Sequence, residues 1–322
     1  MQATLIKVAE ILNDNQYHDG NSIGKQLNIT RAAVWKIIKK LEAYNIPIQS
    51  VKGKGYILEE PLILLDENKI KALISEKNID IEVHEKIDST NDYLKKSSKK
   101  NKKIRVCIAE SQTQGKGRLN RQWHSPFGKN IYFSMNYPFQ KDMSELSGLS
   151  LVVGLAVCSA IENSCSLSHA LQVKWPNDIL ANQKKISGNL IEIQAESHGF
   201  CQAIIGIGIN VNMQHAYHNE INQQWASVRE LSQSYQDRNQ LCVQLIQQLL
   251  SYLQRFCQSG LKVFLNEWQQ RDYLFNKAIK LTSHQTVFSG IGAGINQQGH
   301  LLLTLENNTE RAFASGDTTI MK

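Results

Sequence analysis

Apolar positions recur at helical spacing near the start of the chain and switch to alternation soon after. Leu5, Ile6, Ala9, Ile11 and Leu12 mark a first helix. A short second helix, with Asn21-Ser22 as its cap, runs through Leu27, and a third spans Arg31 to Tyr44. Ala33, Val34, Ile37, Ile38 and Leu41 give the third an apolar stripe, behind Thr30 as its cap. Joined by the tight Asn28-Ile29-Thr30 turn, these predict a helix-turn-helix. Ile48 to Val51 and Tyr56 to Leu58 flank Lys52-Gly53-Lys54-Gly55, which predicts a two-stranded wing with a basic tip.

Beyond Pro61 the pattern reads as a linker with a short helix, up to about Lys77. A strand from Glu82 to Ile87 is then followed by a helix carrying Tyr93 and Leu94, for which Asp88 or Ser89 is a natural cap. Strands are predicted at Ile104 to Ile108 and Ile131 to Met135, and a wholly apolar helix at about Ser144 to Asn163. Further strands end at Lys174, start at Lys184 and cover Ala203 to Asn212, and amphipathic helices cover Asp237 to Gln258 and Leu261 to Gln269. From Ala278 alternation returns in five short strands: Ile279 to Thr282, Thr286 to Ile291, Ile295, Leu301 to Leu305 and Arg311 to Phe313. They predict a small β-barrel in which Gly290, Gly292 and Gly294 are bends. The expected fold is α+β and multidomain: a winged helix-turn-helix at 1-62, a central α/β domain with a mixed sheet at 63-275 and the barrel at 276-322.

Composition narrows the function classes. A 322-residue chain with 42% hydrophobic and 20% charged residues is ordinary for globular domains. Its six cysteines are scattered with no C-x-x-C pair and no signal peptide is evident, so a reducing cytoplasm without disulfides is expected. The longest apolar run, Leu151 to Ala160, is half the length of a bilayer span, so no membrane segment is expected. The net charge is +7. One run, Lys95, Lys96, Lys99, Lys100, Lys102, Lys103 and Arg105, equals that charge and reads as a solvated flexible linker or as steering for an acidic protein partner. From Arg31 to Lys54 the cations Arg31, Lys36, Lys39, Lys40, Lys52 and Lys54 face only Glu42. Thr30, Arg31, Ala32 and Trp35 would meet base edges at the start of a recognition helix, Ser22, Lys36 and Lys39 would flank them, and Lys52 and Lys54 would meet phosphate. A winged helix used only for protein contact is the alternative.

Several stretches carry candidate chemistry. Gly115-Lys116-Gly117-Arg118, followed by Arg121 and Trp123, is a glycine-punctuated cationic loop between two strands, either a solvated loop or an anion site. Asp88-Ser89-Thr90-Asn91 places small polar groups at a helix start, which capping alone would explain. Lys174-Trp175-Pro176-Asn177-Asp178 is a turn, and Lys185 with Gly188 at a strand entry is a plausible active-site cation. Gly206-x-Gly208-x-Asn210 lacks the third glycine and following helix of a dinucleotide fingerprint, which leaves close approach of a ligand or packed helix. His215 and His218 have no clustered third ligand, so no metal site is expected.

In their order and spacing these motifs closely resemble the bacterial bifunctional biotin protein ligases that also act as biotin operon repressors. The resemblance covers essentially the whole chain and implies a class II synthetase-like central domain and an SH3-like terminal barrel. It implies ATP-dependent activation of biotin, with Mg²⁺, to biotinyl-5'-AMP and transfer to a lysine of the biotin carboxyl carrier protein, with operator DNA and an adenylate-promoted homodimer as further partners. Carried over residue by residue, Ser89, Thr90, Asn91, Gln112, Gly115, Lys116, Gly117, Arg118, Trp123 and Lys185 would bind biotin. Arg118, Arg121, Lys174, Asn177, Asn210 and Trp225 would hold ATP or the adenylate, with Lys185, Arg118 and Lys116 as the catalytic cations. The family motif usually reads Gly-Arg-Gly-Arg. Lys116 keeps the charge but loses the planar fork, and Leu119 and Asn120 replace a more basic, glycine-containing continuation, which predicts a functional but less tightly ordered loop. A lipoate or octanoate ligase relative, lacking the winged helix and this loop, and a small-molecule-sensing regulator without catalysis are the alternatives.

Overall fold

The computed structural model describes residues 2–97, 103–196, 199–214, 221, 223–283 and 285–321. Helices α1 (Gln2–Leu12), α2 (Gly20–Leu27) and α3 (Arg31–Ala43) precede an antiparallel hairpin of β1 (Ile48–Val51) and β2 (Gly55–Leu58). The cap of α2 is Asp19, not Asn21-Ser22: its carboxylate accepts from the N–H groups of both. Those two residues already lie inside the first turn, where their own N–H groups need an acceptor. Thr30 caps α3 as the sequence predicts, accepting from Ala33 N–H at 3.2 Å. Val34, Ile38 and Leu41 bury the expected stripe against Leu5, Val8, Leu12 and Ile23. Leu62, Leu64 and the distant Phe127 join the same cluster, so the segment expected to be a linker is partly packed.

After α4 (Glu67–Ala72) come β3 (Ile79–His84), α5 (Thr90–Ser97), β4 (Ile104–Ala109), β5 (Ile131–Phe139) and α6 (Leu149–Ser164). Strands β6 (Gln172–Lys174), β7 (Asp178–Ala181), β8 (Lys184–Glu196) and β9 (Phe200–Ile209) complete a seven-stranded sheet of order β3-β4-β5-β9-β8-β7-β6. Only β3 and β4, joined through α5, run parallel, so the sheet is mixed as expected. Helix α7 (Val228–Ser232) is short, α8 (Arg238–Ser259) packs on α6, and α9 (Leu265–Arg271) closes the domain. The apolar stretch Met143–Ser164 is long enough to be compared with a membrane span, yet α6 buries positions around its whole circumference in the core.

Strands β10 (Ala278–Ser283), β11 (Thr286–Ile295), β12 (Leu301–Leu305), β13 (Glu310–Phe313) and β14 (Asp317–Ile320) form an antiparallel sheet of order β13-β12-β11-β10-β14. The expected break before Ile295 is a register shift inside a continuous β11, between Gly292 and Ile295, with Gly294 at φ +91°. The fifth strand is β14, which the sequence reading missed. Its few residues carry too little alternation to stand out. Ile279, Leu281, Leu301 and Leu303 share one buried cluster with the central domain.

The lysine-rich run is not a free linker where it is described. Lys95 pairs with Glu192 at 2.9 Å, Lys96 with Asp88 at 3.1 Å and Arg105 with Glu82 at 2.6 Å. Two of these cations sit on α5 and one on β4, so secondary structure holds them beside acids. Lys99, Lys100 and Lys102 lie outside the described residues, as do His215 and His218.

Candidate functional site

Along β9, Gly206 and Gly208 alternate with Ile207 and so share one face, which continues to Asn210. A Cβ on Gly206 would come 2.2 Å from Asn91 Oδ1, and one on Gly208 would come 2.3 Å from the Trp123 ring. Bare backbone is therefore the floor on which Asn91 and Trp123 lie. Close approach was one of the readings open for this motif, and the approaching groups are these two side chains. Asn210 donates its amide to the carbonyls of Lys185 and Ala226, both at 3.3 Å, which ties the end of this floor to β8.

At the Gly206 end lies a pocket of hydroxyls and amides. Ser89, Thr90 and Asn91 are buried where β3 passes into α5. Thr90 donates from its backbone N–H and its hydroxyl to Gln112 Oε1, at 2.9 and 3.1 Å, and Gln112 Nε2 donates to Ser125 Oγ at 3.3 Å. Ser134 Oγ, rising from β5, lies 2.7 Å from Thr90 Oγ1 and 2.6 Å from Asn91 Oδ1. Asn91 Nδ2 donates to Glu192 at 3.0 Å. Capping is part of the role of this segment, since Ser89 Oγ accepts from Asp92 N–H at 3.4 Å. Donors and acceptors this close, beside an indole, suit a small neutral heterocycle.

At the other end of Trp123 the groups are ionic. Lys185 Nζ sits 5.3 Å from the Trp123 ring and 2.8 Å from Asp178 Oδ1. Gly188 leaves room for that lysine, since a Cβ there would meet Lys185 Cε at 3.1 Å. Arg118 donates to Asn177 Oδ1 and to the Gly316 carbonyl, both at 3.2 Å, and Arg121 pairs with Asp317. Asn177 is itself fixed by donating to the Asn189 carbonyl at 2.7 Å. Burial lowers the pKa of Lys174, against the pull of Asp178 and Asp317, and burial likewise lowers that of Arg118. Cations stripped of water gain most from an incoming anion.

The loop between the two ends is a hairpin. Lys116 pairs antiparallel with Gln122, Gly117 N–H donates to Arg121 O at 2.7 Å, and Trp123 N–H donates to Gly115 O at 2.9 Å. Gly115 is required by proximity, because a Cβ there would fall 2.7 Å from the Trp123 carbonyl. At the tip Leu119 and Asn120 are both left-handed, at φ 55° and 58°. Lys116 faces Asp92, 2.7 Å away, and not the ionic end. Trp225 is 2% exposed, its backbone bridged to Lys185. An open cavity of about 610 Å³ is lined by His169, Lys184, Ala226, Arg229 and Glu230, and so borders the residues next to Lys185 and Trp225.

On the first domain Arg31, Ala32, Trp35, Lys36 and Lys39 occupy the exposed face of α3, with Thr30 exposed at its cap, Ser22 exposed on α2 and Lys52 and Lys54 at the wing tip. Trp35 is 51% exposed, and Lys39 is partly neutralised by Glu42 at 2.6 Å.

Sequence reasoning missed Ser134, Asp178 and Asp317 as individual residues of the site, and Asp92 as the partner of Lys116 outside it. It also missed the buried pair of Glu110 and Arg238, at 2.7 Å, in which Arg238 donates to the carbonyls of Ile63 and Asn130. That pair had a signal: Arg238 stands in helical register with the core positions Leu241, Cys242 and Leu245.

Comparison with known proteins agrees with this architecture. The biotin/lipoate A/B protein ligase family profile matches residues 83–210, and an HTH domain profile matches residues 4–57. Over 298 residues the chain is 35% identical to the bifunctional ligase/repressor BirA of Salmonella typhimurium, covering 92% of each chain. It is 27% identical to the Bacillus subtilis protein of the same name, covering 98% of each. Among solved structures, biotin protein ligase from Aquifex aeolicus in complex with biotin and ATP superposes with a TM-score of 0.64 at 27% identity, over 76% of this chain and 99% of that one.

Proposed function

The chain belongs to the family of bifunctional biotin ligase/repressors, and from that premise we propose a course for its reaction. It is a biotin protein ligase and a repressor of biotin genes, and biotin and ATP are its substrates. A biotin carboxylate oxygen attacks the α-phosphorus of ATP, the bond to the β-phosphate oxygen breaks, and pyrophosphate leaves with biotinyl-5'-AMP retained. The ε-amine of a lysine on the biotin carboxyl carrier protein of acetyl-CoA carboxylase then attacks the acyl carbon, AMP departs and the amine loses a proton.

The single observation that carries this course is the shared floor of Gly206, Gly208 and Asn210, which runs from a neutral polar pocket to a buried cationic corner past one indole. The ureido ring of biotin suits Ser89, Thr90, Asn91, Gln112 and Ser134, the chain of biotin suits Trp123, and the carboxylate and α-phosphate suit Lys185 and Arg118. Lys174, Asn177 and Arg121 border the same corner and would take the remaining phosphates, with Asn210 and Trp225 toward the nucleoside. Two anions must meet for the acyl phosphate to form, so fixed cations lower the barrier by offsetting their repulsion and holding them in line. No covalent nucleophile on the protein is needed. The mixed anhydride hydrolyses in water, and the hairpin of Gly115 to Trp123 covers it.

Among the described residues no cluster of three metal-ligating side chains occurs, while Asp178 stands beside Lys185 in the phosphate corner. Mg²⁺ carried in on the triphosphate would be held by Asp178, which is paired with Lys185 here, together with the phosphates, and the ion would supply charge neutralisation there. The exposed face of α3 and the wing lysines would bind an operator as a dimer, one half-site per protomer. Biotin-dependent pyrophosphate release, transfer of labelled biotin to a carrier domain, and a mobility shift with and without biotin and ATP test the three parts. Lack of transfer with retained, biotin-dependent DNA binding would leave a sensor without catalysis.

A further inference from the structure

Lys116 is the one cation of the hairpin that does not face the ionic corner. Its Nζ lies 2.7 Å from both carboxylate oxygens of Asp92, on α5. The neighbouring cations of the hairpin go the other way, Arg118 to Asn177 and Gly316 and Arg121 to Asp317. The hairpin is therefore strapped at two opposite sides, by Lys116 to the polar pocket and by its arginines to the corner and the C-terminal sheet.

Asp92 holds more than Lys116. Its backbone N–H donates to Ser89 Oγ at 3.4 Å, and it lies in the first turn of α5, where negative charge is favoured by the helix dipole. One residue thus joins Ser89, at the floor of the polar pocket, to the rim of the loop that covers it. The side chain of Asp92 is 18% exposed against 46% for Lys116, so the acid is the fixed half of the pair and the lysine the half that is captured. Glu192, which takes Asn91 and Lys95, adds negative charge on the same side and makes that position favourable for a cation.

We propose that Asp92 is a positioning residue of the ligase reaction: it captures Lys116 and so holds the hairpin closed over the biotin end of the groove, leaving Arg118, Lys174 and Lys185 to meet the anions. The inference rests on the biotin-ligase reading of the same site. It assigns Lys116 to loop closure and not to phosphate. A lysine suits that task, since one ammonium can bridge both oxygens of a single carboxylate without the planar fork of an arginine.

The test uses the full chain as wild type, Asp92→Asn and Asp92→Glu. In Asp92→Asn the KM for biotin and the rate of release of biotinyl-adenylate into solution should each rise about three- to fivefold, the range for losing a partly exposed ion pair. The KM for ATP and kcat for pyrophosphate release should stay within about twofold of wild type, and Asp92→Glu should restore the first two. Without ligand, limited trypsin digestion should cut at Lys116, Arg118 and Arg121 faster in Asp92→Asn than in wild type. An unchanged adenylate release rate, or a fall in kcat with KM for biotin unaltered, overturns the proposal. If wild type forms no adenylate, the ligase reading fails, while equal trypsin rates would still count separately against the strap.

Discussion

The phenol ring of Tyr44, at the end of the recognition helix, stacks on Phe127 with centroids 4.0 Å apart and planes 8° from parallel. Its hydroxyl donates to Glu85 at 2.7 Å, which also holds Lys40 at 2.5 Å. Phe127 ends the loop that starts at Gln112, and Glu85 precedes the Asp88 to Asn91 segment, so both arms of the polar pocket touch one residue of the DNA-binding domain. Burial, with Glu85 beside it, pushes the Tyr44 pKa up to about 12, which keeps the hydroxyl a donor at neutral pH.

Replacing Tyr44 separates the two contacts. Tyr44→Phe keeps the stack and loses one hydrogen bond, an expected cost of about 1 kcal/mol. Tyr44→Ala also removes the ring pair, worth about 0.5–1.5 kcal/mol beyond its buried area. Thermal unfolding together with biotin titration measures both. Tyr44→Ala should lower Tm more than Tyr44→Phe and weaken biotin binding, and equal biotin affinity in all three proteins would disconnect this contact from the pocket.

The hairpin tip carries strain at Leu119, which is left-handed at φ 55° and 68% exposed. No buried contact compensates a branched side chain there, and the conformation costs about 1 kcal/mol that glycine would not incur. Leu119→Gly should therefore favour the closed hairpin and slow adenylate release by about fivefold, and an unchanged or faster release would show that this strain does not limit closure. Lys116→Arg tests the same loop from its base. If it leaves biotin affinity and adenylate leakage unchanged, the looser ordering expected of lysine is wrong.

Helices α1 to α3 and the wing were legible because their signals are local: apolar spacing, the Thr30 cap and a glycine-basic turn. The motif stretches were legible as stretches, and the structure gathers them along one groove, with Lys185 beside Trp123 and Arg118 on Asn177. What stayed hidden depends on pairs far apart in the chain. Nothing near Asp317 announces that it meets Arg121, and Ser134 reads as one polar position in an apolar strand until Thr90 and Asn91 are set above it. The tip of the hairpin was hidden for another reason: Leu119 adopts a backbone conformation that its residue type disfavours.

With Lys174 on phosphate as proposed, its ammonium should set an alkaline limit. Burial lowers its pKa from the usual lysine value, so it loses its proton earlier than an exposed lysine as pH rises. Phosphate binding needs the protonated form, hence kcat/KM for ATP should be sustained below that lowered pKa and fall as pH rises through it. Lys174→Arg should shift this limb to higher pH because a guanidinium keeps its charge. A limb that stays in place after that substitution assigns it to another group.

The buried ion pair of Glu110 and Arg238 anchors the segment between the first two domains. Glu110 accepts from Leu65 N–H, and Arg238 donates to Ile63 O at 2.7 Å. Removing one partner strands the other charge in the core, so Glu110→Gln or Arg238→Met should each cost about 3–5 kcal/mol. The double variant should cost less than the sum. Denaturant unfolding of the four proteins checks this, and strict additivity would show that the two side chains are not coupled.

The most direct measurement is biotin-dependent pyrophosphate release by Lys185→Ala in a protein whose circular dichroism and Tm match wild type. Lys185 sits where the indole face of Trp123 meets Asp178, at the meeting point of the neutral and cationic ends of the groove. Release should fall by at least about a hundredfold, the scale for losing a group that stabilises charge in the transition state. Near-normal release would contradict the assignment of this groove as the site of biotin adenylation.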